Sequence, residues 1–480
     1  MPAKRLSWKT ALIAALSLAV LAFAGPWAFE RALAWRYHLV PVVEKLPTPR
    51  DRAEAMRQDL EVLGQLSKLD RSFSPEALAR FEAERAKLVA RAHELTPSML
   101  EMEVSRIVAL SDNGHTTVGR RLRRLNRVPI RLGWFEEGLY VTRADEARAN
   151  LVGARVMKVN GKTPEEALAA ITPRVSGTTA HAKATSPLYL ASPYGLAGIW
   201  PEMDPDRATY TLRTEKGETV EVALVATPPD AKSPYVDPTR DLAPQGVRNE
   251  SEPWRNLLSG RSDLPLVLRE PDASLFVKSL DDGAGLYVHI MQVMDDERGS
   301  LSEQLEALTR AIEPGSLRYA ILDLRFNGGG NYMKTLGFTK ELPKRIAPDG
   351  RLFILTDHST FSAAIVTFAR ARYFAGKRAV VIGEPVGDRE RFWAEAGAPL
   401  VLPNSKITVF FATGYHDWHS GCGVRDLARC FWINWAFDVP SGSFAPDEVV
   451  AWKFADYRRG VDTVMEAVMK RRESLPGKSS

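Results

Sequence analysis

Apolar positions recur at helical intervals over the first third of the chain. Leu60, Leu63, Leu66 and Leu69 share one helix face, and Ser74-Pro75 followed by Glu76 opens a second helix. No glycine interrupts residues 74–110, so the pattern predicts a small bundle, placed within a helical domain over 45–135. The period then shortens. Leu139–Thr142, Ala154–Val159, Ala208–Leu212 and Thr219–Val225 are β-rich runs, with turns at Asn160-Gly161 and Lys216-Gly217, which predicts a β-rich module over 137–228. Residues 229–282 are rich in Pro, Asp, Ser and Arg and are read as a connecting segment. From Gly285 onward strands and helices alternate. Leu286–Ile290 precedes a helix capped by Ser300 and Glu303, which carries Leu301, Leu305, Leu308 and Ile312. Strands at Tyr319–Leu324, Leu352–Leu355 and Ala379–Gly383 follow, with a helix-like run from Ser362, and predict an α/β core over 283–472. Residues 476–480 are read as a frayed tail.

The N-terminus adds a location. Lys4, Arg5 and Lys9 precede an uncharged apolar stretch from Thr10 to Ala24, and Ala22-Phe23-Ala24 offers a small-x-small cleavage pattern. The apolar run can be extended to Phe29, close to a bilayer-spanning length. Residues 1–30 are therefore read as a signal peptide or an uncleaved anchor through residues 10–29, and the rest as exported to the periplasm or cell envelope.

Composition and charge change little. With 480 residues, 45% apolar and 26% charged, the chain can build several cores, and a net charge of +5 selects no partner class. No nucleic-acid partner is expected. Arg120, Arg121, Arg123, Arg124, Arg127 and Arg131 form a local cluster, which fits a contact with phosphate or anionic lipid as well as a solvated face. The two cysteines, Cys422 and Cys430, are eight positions apart. In an exported chain they fit a disulfide; free thiols, or zinc with His416 and His419, are the other readings.

The chemistry concentrates in DLRFNGGG, residues 323–330, and TFSAA, residues 360–364. Three glycines after a strand can present inward N–H groups, and a serine at a strand-to-helix turn can be a nucleophile. The glycine run has neither the lysine of a P-loop nor the spacing of a dinucleotide fingerprint. Ser362 also fits a plain helix N-cap, and Gly328–Gly330 a tight turn. His115, in SDNGHT and flanked by Asp112, is a candidate base; His358, four positions before Ser362, is its rival.

The order SDNGHT, DLRFNGGG, TFSAA, VIGEPVG, LPNSKITV and PDEVVAWKFADYRRGVD resembles the tricorn-core and C-terminal-processing serine peptidases. It is most similar to the branch related to interphotoreceptor retinoid-binding protein. The resemblance covers most of residues 95–470. It implies a crotonase-like or Clp-protease-like α/β core, an N-terminal helical region and a PDZ-like module. LVGARVMKVNGKTPEEAL, residues 151–168, resembles part of a PDZ domain, although the insertion from Thr179 to Pro201 does not. By the same resemblance Ser362 is the nucleophile, His115 the base, and the amides of Gly329 and Ala363 the oxyanion hole. Two positions depart from the pattern. After the turn Gly383–Gly387 the lysine of the C-terminal-processing branch is replaced by Asp388, and neither Lys377 nor Lys406 fits its place. No glutamate precedes Pro446-Asp447, which leaves Glu384 or Asp438 to orient His115, with Glu384 preferred. The expected activity is that of an exported serine endopeptidase acting on peptides or unfolded segments, without metal or organic cofactor. The alternatives are a catalytically silent peptide- or ligand-binding protein on the same fold, and an envelope factor seated through the arginine cluster. The sequence fixes no oligomeric state.

Overall fold

The computed structural model describes residues 26–119, 125–228, 241–244 and 254–473. The apolar run 10–24, most of the arginine cluster, much of the connecting segment and the tail 476–480 lie outside the described residues.

The expected bundle forms from α1 (Arg52–Leu63), α2 (Pro75–Ala90) and α3 (Pro97–Val108). Each starts on a side-chain cap: Asp51, Ser74 and Thr96 accept from the backbone N–H three positions on. Proline follows the cap in α2 and α3, where its missing N–H costs nothing. The bundle does not have a core of its own. Leu60, Phe81, Leu100 and Ile107 pack with Leu400, Val409 and Phe411 from far along the chain. The short strand β1 (Thr117–Val118) pairs antiparallel with Val409 and Phe410, which ties the end of the helical region to the rest of the molecule.

The β-rich module is an antiparallel sheet of β2 (Ile130–Phe135), β3 (Gly138–Asp145), β4 (Arg155–Val159), β5 (Arg207–Arg213) and β6 (Thr219–Val225) in sequential order, with β7 (Trp254–Asn256) beside β3. Helices α4 (Pro164–Ile171), α5 (Thr179–Leu190) and α6 (Pro193–Ile199) accompany it. The insertion from Thr179 to Pro201 is thus two helices. β2 begins the sheet at Ile130, inside the range read as helical: Ile130 and Leu132 point inward and Arg131 between them is only partly buried, an alternation hidden by the preceding arginines.

The core sheet runs in the order β13 (Glu448–Val449), β12 (Ala379–Gly383), β11 (Ile346–Thr356), β10 (Leu317–Asp323), β9 (Gly285–Ile290), β8 (Leu275–Leu280). All neighbours are parallel except β8 with β9. It therefore begins at Leu275, inside the segment read as connecting, because an antiparallel edge strand needs only one apolar face. Helices α7 (Leu301–Arg310), α8 (Leu336–Arg345) and α9 (Ala363–Ala375) cover one face through Leu305, Leu342 and Phe368. Helix α10 (Thr463–Glu473) covers the other through Val464 and Val468. Burial on both faces is why the central strands read as continuous apolar runs. In such a sheet ligands are met at the carboxyl ends of the strands, and the loops after β10, β11 and β12 are those carrying the glycines, Ser362 and Asp388.

Candidate active site

The parallel register places the glycine loop and the serine loop side by side. Asp323 at the end of β10 stands opposite Leu355 of β11. Beyond them the Phe361 N–H donates to the Asn327 carbonyl at 2.9 Å. Asp357 fastens the loops again: its Oδ1 accepts from the amides of Phe326, Ser359 and Thr360 at 2.9–3.0 Å. Burial pushes the Asp357 carboxyl up to about 6. Beneath the glycine loop, Arg325 makes paired hydrogen bonds to Asp323 and to Asp462, all within 2.6–2.9 Å and all buried.

Ser362 occupies the turn between β11 and α9 with φ +55° and ψ −122°. A non-glycine residue in that region costs about 1–3 kcal/mol, and the surrounding hydrogen bonds hold it there. Its hydroxyl makes no capping bond to the helix it precedes. Ser362 Oγ instead lies 3.0 Å from Nε2 of His115. That separates this serine from an ordinary N-cap.

His115 is brought in by the turn after α3. Asn113 Oδ1 accepts from the Trp393 N–H at 2.9 Å, and its amide donates to Thr116 at 3.1 Å, so the turn is pinned from both sides. The imidazole lies between rings, 4.7 Å from Phe361 and 5.2 Å from Phe392, in a column that continues to His181 at one end and His416 at the other. Nδ1 of His115 is 3.5 Å from Oδ2 of the buried Asp388. The arrangement is a serine, a histidine and a carboxylate in line.

That carboxylate is not the one expected. Glu384 faces away: its Oε1 is 3.1 Å from Nε2 of His358 and 3.6 Å from the Lys183 ammonium. Burial raises the Glu384 carboxyl, but His358 and Lys183 together, through hydrogen bonds and charge, outweigh it and the net shift is downward. His358 responds in kind; burial alone would lower it, and the hydrogen bond and charge of Glu384, with the Pro385 carbonyl, take it above its ordinary value. With Nδ1 also 3.0 Å from the Pro385 carbonyl, His358 is engaged on both nitrogens and is not a partner of Ser362. Asp438 stands by the disulfide, accepting from the Cys422 N–H. Asp112 pairs with Arg389 at 2.8 Å rather than with His115. Lys377 lies at the far end of the helix that Ser362 begins. The one signal for Asp388 was its position directly after the Gly383–Gly387 turn, where identity rather than place was weighed.

Of the oxyanion candidates, Ala363 begins α9, where the first amides have no helical acceptor. Gly329 meets it closely: a Cβ on Gly329, whose φ is +111°, would lie 2.6 Å from the Ser362 Cβ and 3.1 Å from the Ala363 nitrogen. Its own N–H, however, donates to Asn327 Oδ1 at 2.9 Å. Gly330, the next residue of the same run, is the glycine on the wall of the adjoining cavity.

That cavity, about 450 Å³, opens beside Ser362 and His115 and is walled by Tyr332, Val366, Phe392 and Ala394, with Glu395 and His416. Behind it Cys422 and Cys430 form a disulfide, which takes both sulfurs out of any zinc reading. Among the described residues no cluster of three or more His, Cys, Asp or Glu is placed to hold a metal ion.

No protein-family model and no curated protein matches the sequence. Among solved structures the chain is similar to mature CPAF complexed with lactacystin, at a TM-score of 0.55 and 12% identity over 88% of this chain and 98% of that one. It is similar also to mature CPAF in a second structure, at a TM-score of 0.53 and 14% identity over 88% and 97% of the two chains. At these identities the likeness is one of fold, and the α/β core expected from the sequence is part of it.

Proposed function

We propose that this chain is an active serine peptidase of the tricorn and C-terminal-processing kind, cleaving peptides or unfolded protein segments through an acyl-enzyme. The observation that carries this reading is the 3.0 Å contact of Ser362 Oγ with His115 Nε2, made by a serine in a strained strand-to-helix turn. His115 takes the hydroxyl proton as Oγ attacks the peptide carbonyl, and Asp388 favours the Nδ1–H tautomer and the imidazolium that forms. The Ala363 amide supplies one oxyanion donor. The second comes from the glycine run, where Gly330 lines the cavity and the Gly329 N–H is held by Asn327. His115 then protonates the leaving amine; water, deprotonated by the same ring, releases the acyl group. No step calls on a metal or cofactor.

The groove between β2 and α5, walled by Leu132, Trp134, Lys183 and Leu188, supports the PDZ-like reading of the β-rich module, with a peptide added along a sheet edge. The same chain is proposed to be exported and held at the cell envelope through residues 10–29. A helix over 26–37 leads out of that segment with Trp27, Phe29 and Trp35 exposed, beside exposed Trp435 and Phe437. Aromatic residues so placed suit a membrane–water interface. Among the described residues no helix is long and apolar enough to cross a membrane.

The test is labelling by a fluorophosphonate probe, mapped by mass spectrometry, in the parent, Ser362→Ala and His115→Ala proteins. Labelling at Ser362 that is absent from both variants is expected. An unlabelled, folded parent would overturn the reading in favour of a catalytically silent protein.

A further inference from the structure

The cavity beside Ser362 has a composition that the serine and histidine do not use. Part of its wall is apolar: Tyr332, Val366, Phe392 and Ala394. Set among them is the Glu395 side chain, only 26% exposed, with Oε1 3.5 Å from Nε2 of His416. A carboxylate with so little water around it is costly to keep charged unless something answers it.

The neighbours decide what that charge is. Tyr332 Oη donates to Asn434 Oδ1 at 3.1 Å, which turns the Asn434 amide nitrogen toward Nδ1 of His416 at 2.7 Å. Nδ1 therefore accepts, and the imidazole proton sits on Nε2, facing Glu395. Glu395 is the acidic member of the pair and lies on the cavity wall. Burial raises the Glu395 carboxyl, but His416, His115 and His38 together outweigh it and the net shift is downward, toward the ionised form. The backbone is bent to deliver this side chain: Glu395 has φ +54°, and the Thr413 N–H and hydroxyl both donate to its carbonyl at 2.8 Å. Strain held in place beside a cavity is a mark of a positioned group.

We infer that this cavity receives the side chain on the acyl side of the cleaved bond, and that Glu395 selects a lysine or arginine there. The inference rests on the peptidase reading of Ser362. The apolar part of the wall takes the methylene stem of a basic side chain, and the half-buried carboxylate meets its charged end. A leucine or phenylalanine would strip water from the carboxylate and give nothing back, which makes the same group a barrier to apolar side chains.

The experiment uses the full chain and a set of internally quenched peptides that differ at one position: Lys, Arg, Gln, Leu or Phe. Cleavage after Lys and Arg is expected to exceed cleavage after Leu by about 10²-fold in kcat/KM. Glu395→Gln should bring that ratio near one, and Glu395→Asp should keep the basic preference. A parent that cuts after Leu or Phe as well as after Lys overturns the inference and leaves the peptidase reading intact. The second arm needs no turnover. The fluorescent cation p-aminobenzamidine is titrated into Ser362→Ala, with and without Glu395→Gln. Binding lost at least tenfold with the glutamate supports the cationic subsite even in a protein that cleaves nothing, in which case the peptidase reading alone has failed. Binding indifferent to Glu395 overturns it.

Discussion

Gly114 and Asp388 touch where no larger residue would fit. A Cβ added to Gly114 would lie 2.9 Å from Asp388 Oδ2 and 2.8 Å from the ring of Phe361. The glycine before His115 is therefore what lets the carboxylate and the aromatic ring close around the imidazole. Gly114→Ala is expected to lower kcat/KM about 10–10²-fold, the loss that follows from a sub-ångström misplacement of a catalytic group. Steady-state kinetics beside a thermal melt will check this, with the melting temperature shifting by no more than a few degrees.

Two acidic residues make opposite predictions. On the proposed mechanism Asp388→Asn removes the group that favours the productive His115 tautomer and is expected to slow acylation about 10²–10⁴-fold, less than a fully hydrogen-bonded triad would lose because the contact is long. Glu384→Gln leaves His115 untouched, since its partners are His358 and Lys183, and should change the rate only a few-fold. The rate of fluorophosphonate labelling distinguishes them; equal losses would count against Asp388.

The Arg325 network under the glycine loop governs stability more than chemistry. Asp462→Ala would leave part of a buried guanidinium unanswered, at a cost of about 3–5 kcal/mol, read from denaturant unfolding at neutral pH. The network also has an acid limit. Burial alone would raise Asp323, but Arg325 outweighs it and holds the folded carboxyl below its ordinary value of 3.8. A lowered carboxyl contributes stability that is complete above the unfolded value and is lost as pH falls through the folded one. Unfolding midpoints should thus drop more steeply below about pH 4 in the parent than in Asp323→Asn.

The His358–Glu384 pair has limits on both sides. His358 is raised in the folded chain, so its contribution is full below its ordinary 6.5 and is lost as pH rises through the folded value. Glu384 is lowered, so its share is full above its ordinary 4.5 and is lost as pH falls through the folded value. The difference in unfolding free energy between the parent and His358→Gln should be largest between about pH 4.5 and 6.5 and shrink on both sides. A flat difference from pH 4 to 9 would count against the pair.

How far the sequence carried depended on whether a feature was local. The glycine run and Ser362 were legible because each sits directly after a short apolar strand, and the parallel register then sets them side by side. His115 was legible only through the order of motifs, since its contact spans 247 positions. Asp388 is legible in the sequence only as the absence of a lysine after the Gly383–Gly387 turn; that it points at His115 follows from how the chain leaves β12, which no local pattern encodes. The strand at Leu275–Leu280 was hidden because only its first residue is fully buried. Glu395 gave no signal at all: an isolated glutamate in a β-rich stretch becomes notable only when a cavity closes around it.

The base and the nucleophile of the proposed reaction belong to different parts of the fold. His115 follows the helical region, while Ser362 and Asp388 are carried by the core sheet, and the two parts are joined by the pairing of Thr117 with Phe410 and by the shared packing of Leu100, Ile107 and Val409. Assembly is therefore itself a safeguard. During synthesis the histidine emerges long before the serine, and neither has its partner until the last strands have docked. On the proposed reaction, a nascent or half-unfolded copy of this chain is an inert polypeptide beside its neighbours, and cutting power arrives only with the finished architecture.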